Sequence, residues 1–416
     1  MKKRTYKTKK VNQINWNIIT EKLAGKEVAL AIDIAKQKQF ALLFNKSNDV
    51  SELFRWNHPE ETPAVLEAIN SLSCPVVVIF ESTSTYGDAL RFQFRKLGFD
   101  IHQASAKRVH DAREVYDGVP SLHDAKAASI IARFYQDGLT TPWRELTDAE
   151  LRLNALVREH EIHKSQYQRN QNRLEAYLSR HWPEVTYLLN LNSVTLECLL
   201  IEYGSARGVA AHAKEAALEM KKSGGSLLTK QKIIDVIGSA KTTLGVPCAE
   251  GERLYLQALA REMAHSRVQG KQVQKALEAQ IDNDRELCEM GRLIGRVTTA
   301  ILLSLHLDPR KFNCAQTFQK ALGLNLKEKS SGRYVGQLKI TKRGSAKARK
   351  FLYFAALRLL QKDPVVKEWY QKKVDHKARN KTVIALMRKL SKALWHVAKG
   401  QAFDAAMLLS VSKKTA

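Results

Sequence analysis

The sequence predicts an α/β domain followed by helical material, and three observations carry that reading. Short β-branched runs alternate with helical stretches as far as about residue 145, and beyond it nearly everything follows helical periodicity, with glycine and proline confined to a few breaks. Two mostly apolar runs, 27–34 and 75–80, read as strands, and the second suits a strand buried on both faces. At 416 residues the chain is also too long for one ordinary core.

The elements follow in order. The run 27–34 (Glu-Val-Ala-Leu-Ala-Ile-Asp-Ile) is a strand interrupted by one carboxylate, Asp33. Strands at 40–44 and 52–56 come next, separated by the turn formers Asn45, Ser47, Asn48 and Asp49. A helix from 59 to 72 leads to the strand 75–80, which ends on Glu81. A helix at 86–97, a strand at 99–103 and helices containing Asp111 and Asp124 complete the domain. Three meander strands, then helix, strand, helix, strand, helix is the succession of the RNase H-like fold. The boundaries read as a basic tail over 1–26, this domain over 27–145, a helical insert over 146–290 and a C-terminal domain over 291–416.

Two carboxylates on neighbouring strands have a chemical reason to be there. Asp33 and Glu81 would converge at one edge of the sheet and could share divalent cations, which take hard oxygen ligands; Asp124, opening a helix, is placed to be the third. A plainer account fits the same residues: Asp33 as a satisfied strand carboxylate, Glu81 as the start of a loop and Asp124 as a helix N-cap.

Composition bounds the partner. With 68 basic against 42 acidic side chains, the net charge is +26, and the pI is near 9.8. Such a chain calls for a polyanion, nucleic acid before a membrane surface. No run of about 18 apolar residues occurs, and the N-terminal segment lacks the apolar core of a signal peptide, so the expectation is a cytoplasmic protein. Cys74, Cys198, Cys248, Cys288 and Cys314 lie far apart with no Cys or His at metal-ligand spacing. They read as reduced packing residues and predict no zinc site.

Over 147–177 a heptad seam (Leu146, Ala149, Leu153, Leu156, His160, His163, Tyr167, Asn170, Leu174, Tyr177) predicts a long coiled-coil or hairpin helix. Its polar positions could fix register or face a second chain; a metal on His160 and His163 is the weaker reading. A second long helix, 249–290, would be the returning arm, and Lys-Lys-Ser-Gly-Gly-Ser at 221–226 a flexible break. At 291–306 a glycine-containing turn runs into an apolar helix whose N-terminus could hold a phosphate.

The densest charge lies at 326–350, where nine Lys or Arg accompany one acid around Ser330, Ser331 and Gly332. Arg333, Lys339, Lys342, Arg343, Lys347 and Arg349 are candidates for holding a nucleic-acid backbone, with Lys107 and Arg108 in the first domain. The stretch 371–399 adds nine more cations, and density of this kind predicts strongly salt-dependent binding.

In this order the motifs resemble a family. Asp33 in Ala-Ile-Asp-Ile-Ala-Lys, Glu81 in Phe-Glu-Ser-Thr-Ser-Thr-Tyr-Gly, His-Asp-Ala-Lys-Ala-Ala at 123–128, and Gly-Leu-Asn-Leu followed by Ser-Ser-Gly-Arg and Ile-Thr-Lys-Arg-Gly at 323–344 are similar to the one-hundred-and-ten insertion-sequence transposases. These are bridge-RNA-guided recombinases related to the Piv DNA invertases. The resemblance spans 27–140 and 291–400.

It implies a RuvC-like N-terminal domain with an Asp-Glu-Asp-Asp site for Mg²⁺, a coiled coil, and a C-terminal transposase domain with a nucleophilic serine. Asp33, Glu81 and Asp124 match the first three acids, and Ser331 the nucleophile, with Ser330 as the nearby alternative. Implied partners are donor and target double-stranded DNA, a structured bridge RNA and further copies of the chain, a dimer of dimers, in a prokaryotic, nucleoid-associated setting. One position departs from the pattern: in the usual Asp-x-x-Asp-Ala, the residue three after Asp124 is Ala127. Water, His123 or Asp117 could substitute, or one metal could serve.

On this reading Ser331 attacks a scissile phosphate and a covalent phosphoserine bond conserves the energy for rejoining. The composite site needs the two domains docked, from one subunit or from two. Two other classes stay open: an RNase H-like nuclease or junction resolvase using water, and a binding protein that has lost its chemistry.

Overall fold

A seven-stranded mixed sheet frames the first of two units, Met1–Glu145, into which the chain divides; the second is Leu146–Ala416. The computed structural model describes residues 6–409 except 46, 48, 49, 83, 84, 329, 332, 333, 337 and 375–377, and only the backbone at 227, 330, 331, 334 and 335.

The strands are β1 (Lys9–Lys10), β2 (Val28–Asp33), β3 (Lys38–Asn45), β4 (Ser51–Asn57), β5 (Val76–Glu81), β6 (Asp100–Ala104) and β7 (Thr141–Pro142), in the order β1-β4-β3-β2-β5-β6-β7. The meander β2, β3, β4 is antiparallel, while β5 pairs parallel to β2 and β6 parallel to β5. The helices are α1 (Trp16–Leu23), α2 (Thr62–Asn70), α3 (Asp88–Lys96), α4 (Ala106–Asp111) and α5 (Asp124–Gln136). The succession of meander, helix, strand, helix, strand, helix predicted by the sequence is the one observed.

Period-two alternation sends the two faces of the sheet to two cores. Leu30, Ile32, Val78 and Phe80 pack with Leu23, Val65, Ile69, Leu90 and Phe94 from α1, α2 and α3. Ala29, Ala31 and Ile79 pack with Ala127, Ile130, Ile131 and Phe134 of α5. The small side chains of Ala29 and Ala31 let α5 lie close against the sheet.

Three local expectations change. Part of the stretch read as a tail belongs to the domain: Lys9 and Lys10 pair parallel with Phe54 and Arg55, and Val11, Ile19 and Leu23 are buried. The first three positions of the expected helix 59–72 form a turn instead; α2 begins at Thr62, whose hydroxyl accepts from Trp56 Nε1 at 3.1 Å. The helix expected at 86–97 opens with a 3₁₀ turn, Thr85–Gly87.

In the second unit, α6 (Asp148–His181) starts at a capping box between Thr147 and Glu150. It packs antiparallel along the helix Glu250–Asp282, with His163 facing Gly270. The buried positions of α6 are Leu153, Val157, His160, Leu174, Leu178 and His181, so the seam runs through Val157 and Leu178 rather than Leu156 and Tyr177. His160 faces the chain's own helix pair, and burial, then Lys164, lowers its pKa. The returning arm ends at Asp282 instead of 290, because Asp284 accepts a hydrogen bond from Leu287 N and starts the new helix Arg285–Ile294.

Two cores occupy the two ends of this hairpin. At one end Leu153, Val157, Leu277 and Ile281 join the C-terminal helices Arg296–Ser304, Ala346–Lys362 and Arg379–Val397. At the other, Leu174, Leu178, Trp182, Leu256 and Met263 join the short helices lying between residues 185 and 241. The segment read as a break at 221–226 is helical as far as Gly224. The turn at 291–306 resolves into Gly295, at φ +90°, between two helices, with Arg358 donating to the Ile294 carbonyl beside it.

Candidate active site and nucleic-acid interface

The three acids stand one step beyond the core that α5 forms on the sheet. Asp33 continues the row Ala29, Ala31 on β2, and Glu81 continues the row Val77, Ile79 on β5; alternation therefore turns both toward the α5 face. Asp124 is the first residue of α5, one turn before Ala127, which packs on those rows. Asp33 and Glu81 end adjacent parallel strands, with Ile32 opposite Phe80.

The electrostatics report the convergence. Burial, then the charge of Glu81 and a hydrogen bond with it, then the charge of Asp124, push Asp33 up to about 8. With no cation present, Asp33 therefore holds a proton more tightly than an isolated carboxylate does. Two half-buried carboxylates and a third, exposed one stand near the same edge and offer oxygen ligands of the kind a hard divalent cation takes, but among the described residues the three do not bring their oxygens within 4.8 Å of one another.

Around this trio the structure corrects the plainer account and the substitution proposed for Ala127. The N-cap of α5 is His123, whose Nδ1 accepts from Lys126 N at 3.3 Å, and Asp124 follows it. Asp117 is engaged elsewhere: it accepts from the buried Lys126 Nζ at 2.8 Å, from Val119 N at 3.0 Å and from Tyr6 Oη at 3.0 Å. Ala127 is 5% exposed and sits among Ala29, Ala31 and Ile131. A carboxylate there would enter the core. The Asp-Ala pair at 124–125 fits the second half of Asp-x-x-Asp-Ala equally well, which places exposed Ser121, in the loop before α5, at the first acid.

Lys107 and Arg108 are exposed on α4, which leaves the same end of the sheet: Glu81 pairs with Ala104, and Ser82 N donates to Ala104 O at 2.8 Å.

In the second unit the serine segment is two short ladders in sequence. Leu326–Lys327 pairs antiparallel with Lys339–Ile340, and Ser330–Ser331 with Tyr334–Val335. Arg333 lies outside the described residues. The base of the segment is stitched tightly: Thr341 N donates to Asn325 O at 2.8 Å, Thr341 Oγ1 to Asn325 Oδ1 at 2.6 Å and Lys342 N to Gly323 O at 3.0 Å. Gly323 has φ +70°, and a Cβ there would stand 2.9 Å from the Arg343 backbone, so only glycine fits.

The predicted phosphate-contacting cations divide into two sets. Lys339, Lys342 and Arg343 are exposed. Arg349 instead spends its guanidinium inside the fold, donating to Leu322 O at 3.1 Å and Gly344 O at 2.9 Å, and burial lowers its pKa. Lys347 is paired with Glu161 at 2.7 Å. Lys126, whose ammonium also donates to Val119 O and Ser121 O, was not singled out by the sequence; only the fold explains a lysine 1% exposed.

A mixed sheet with acids gathered at one edge, joined to a helical unit with a serine-bearing basic hairpin, defines a class of DNA-processing protein to which the family comparisons give a name. Residues 30–183 match the model of DEDD transposases of IS110 type, described as a transposase, and residues 292–371 match the model described as the transposase IS116/IS110/IS902 family. Together the matches cover more than half of the sequence, and the chain belongs to the IS110 family of transposases. No curated protein matches it. Among the described residues, no helix is long and apolar enough to cross a membrane.

Proposed function

We propose that this transposase cuts and rejoins donor and target DNA through a covalent bond to Ser331, using Mg²⁺ held by Asp33, Glu81 and Asp124 in a RuvC-like domain, with a structured bridge RNA choosing the two duplexes. The observation that carries the proposal is the placement of Asp33 and Glu81 at the ends of adjacent parallel strands, on the face covered by α5, whose first residue is Asp124; burial and the charges of Glu81 and Asp124 raise the proton affinity of Asp33 accordingly. Carboxylates that repel one another so strongly gain most from a shared cation.

Bound there, Mg²⁺ would neutralise charge developing on a phosphodiester. The residues of the chain do the rest. Asp33 must give up its proton and, with Glu81, present oxygens instead. A serine hydroxyl is a weak nucleophile and must lose its proton to a base as it attacks. The Oγ–P bond of Ser331 forms as the bond from phosphorus to one DNA oxygen breaks, and that oxygen leaves as a hydroxyl after taking a proton. Reversal on a different strand's hydroxyl rejoins the DNA without an external energy source. Lys339, Lys342 and Arg343, exposed around the serine ladder, would hold phosphates, and the net charge of +26 suits a complex with RNA and two duplexes. We assign the working form to a homo-oligomer, a dimer of dimers.

The test is to incubate the purified protein with Mg²⁺, its co-purifying RNA and labelled donor and target duplexes, and to resolve the products on a denaturing protein gel. Label travelling with wild-type protein and absent from Ser331→Ala supports the proposal. Free nicked DNA from both proteins would assign the cutting to water, and absence of cutting would leave a nucleic-acid-binding protein.

A further inference from the structure

The helical unit carries a second cluster of ligand-type side chains that has no part in the chemistry above. Among the described residues, His181, Cys248 and Glu252 bring one ligand atom each to within 4.8 Å of one another. His181 ends α6, Glu252 lies in the first turn of Glu250–Asp282, and Cys248 is in the connection just before that helix. The three thus join the two long arms where the hairpin meets its distal core.

The imidazole is already oriented as a metal-binding histidine is. Its Nδ1 lies 2.8 Å from the Val246 carbonyl, which can only accept, so Nδ1 carries the proton. Nε2 is then left with a lone pair, and a backbone hydrogen bond on the other nitrogen is the usual outer-shell partner of a ligating histidine. His181 is 4% exposed, and its Nε2 is buried without a hydrogen-bond partner. The nearest charged atom is Glu252 Oε1, at 3.4 Å. Two acceptors at that distance need a proton or a cation between them.

The surroundings are built rather than incidental. The connection 243–246 is fixed against the end of α6: Val246 N donates to Arg180 O at 2.8 Å, and Leu244 N and Thr243 Oγ1 donate to Glu184 at 2.8 and 2.7 Å. A Cβ at Gly245 would stand 2.3 Å from the His181 carbonyl oxygen. Glu252 is held in place by accepting from Ala249 N at 3.0 Å.

We propose that His181 Nε2, Cys248 Sγ and a Glu252 carboxylate oxygen form a zinc site that clips the end of α6 to the start of Glu250–Asp282, with water in the fourth position. Nitrogen, sulfur and oxygen together suit a borderline-soft ion that accepts tetrahedral geometry, not Mg²⁺. At ordinary zinc–ligand lengths the three atoms would stand about 3.3–3.7 Å apart, a closure of about an ångström from the present spread. Binding releases the thiol proton together with any proton held between Nε2 and Glu252: the thiol becomes a thiolate, the protons go to solvent, and no oxidation occurs. The cysteine spacing that predicts no zinc site misses this one because the histidine and the cysteine are far apart in sequence and meet only through the hairpin.

The test uses full-length protein stripped of metal by chelator and dialysis, with Co²⁺ as the spectroscopic probe and Zn²⁺ as the competitor. One equivalent of Co²⁺ per chain should give a thiolate-to-metal charge-transfer band in the near ultraviolet, with the strong visible bands of a four-coordinate site, and one equivalent of Zn²⁺ should erase both. Cys248→Ser should remove the band and weaken Zn²⁺ binding by about tenfold or more, while Cys198→Ser and Asp33→Asn should keep it. Glu252→Gln retains an acceptor for the helix cap and gives a second variant should Cys248→Ser fold poorly; it should weaken binding with circular dichroism unchanged. A band that persists in Cys248→Ser, no band in wild type, or a His181–Glu252 pair indifferent to Zn²⁺ would overturn the proposal.

Discussion

Asp33 and Glu81 end two adjacent parallel strands, and burial, then the charge of Glu81 beside it, make Asp33 a weak acid. Its folded pKa, about 8, lies above the ordinary carboxylate value, so the folded state holds a proton that the unfolded chain releases near pH 4. The resulting stability is complete below about pH 4 and is lost as pH rises through about 8. Metal-free protein should therefore melt at progressively lower temperature across that window. Asp33→Asn should flatten the trend and stabilise the metal-free form at pH 8 by about 1–3 kcal/mol, read by thermal unfolding. Magnesium should restore wild-type stability at pH 8 and do nothing for the variant.

Restoring a carboxylate at position 127 should harm the protein. Ala127→Asp would place an acid among Ala29, Ala31 and Ile131 with no partner, at a cost of about 2–5 kcal/mol. Urea unfolding should show the loss directly. Ser121→Asp, in the exposed loop three residues before Asp124, should fold normally and tighten Mg²⁺ binding as measured by calorimetry.

Lys126 is 1% exposed and tied to Asp117. Asp117→Ala removes the countercharge from a buried ammonium and should destabilise the fold. Lys126→Met, which removes the buried charge as well, should cost less than the aspartate change. A double-mutant cycle in chemical denaturation separates the pair's coupling from the two single effects.

The basic residues of the serine segment should divide under salt titration. Replacing Lys339, Lys342 or Arg343 by alanine should lower the slope of log affinity for duplex DNA against log salt by about 0.9 for each phosphate that the side chain neutralises. Arg349→Ala should act mainly through stability, because its guanidinium holds Leu322 O and Gly344 O, and melting should reveal that where DNA titration does not.

The strand succession of the first unit was legible in the sequence because period-two alternation and β-branched runs are local signals, and the sheet follows from them. Asp33 and Glu81 stood out because a carboxylate breaking or ending an apolar strand is itself such a signal. The long helix after Thr147 was readable for the same reason. The seam of α6 was read one position out at Val157 and Leu178, since which of two neighbouring apolar positions is buried depends on the helix that packs there.

Composition and spacing, then, determined the two kinds of architecture, the need for a polyanionic partner and the acids on two strand ends. Only the tertiary structure decided that Ala127 fills a core, that Asp117 belongs to Lys126, that Arg349 is spent on carbonyls, and that His181 meets Cys248 and Glu252. Each of these depends on which residues packing brings together. Desolvation and hydrogen bonding act on the neighbours a group has in space, and periodicity along the chain carries no record of them.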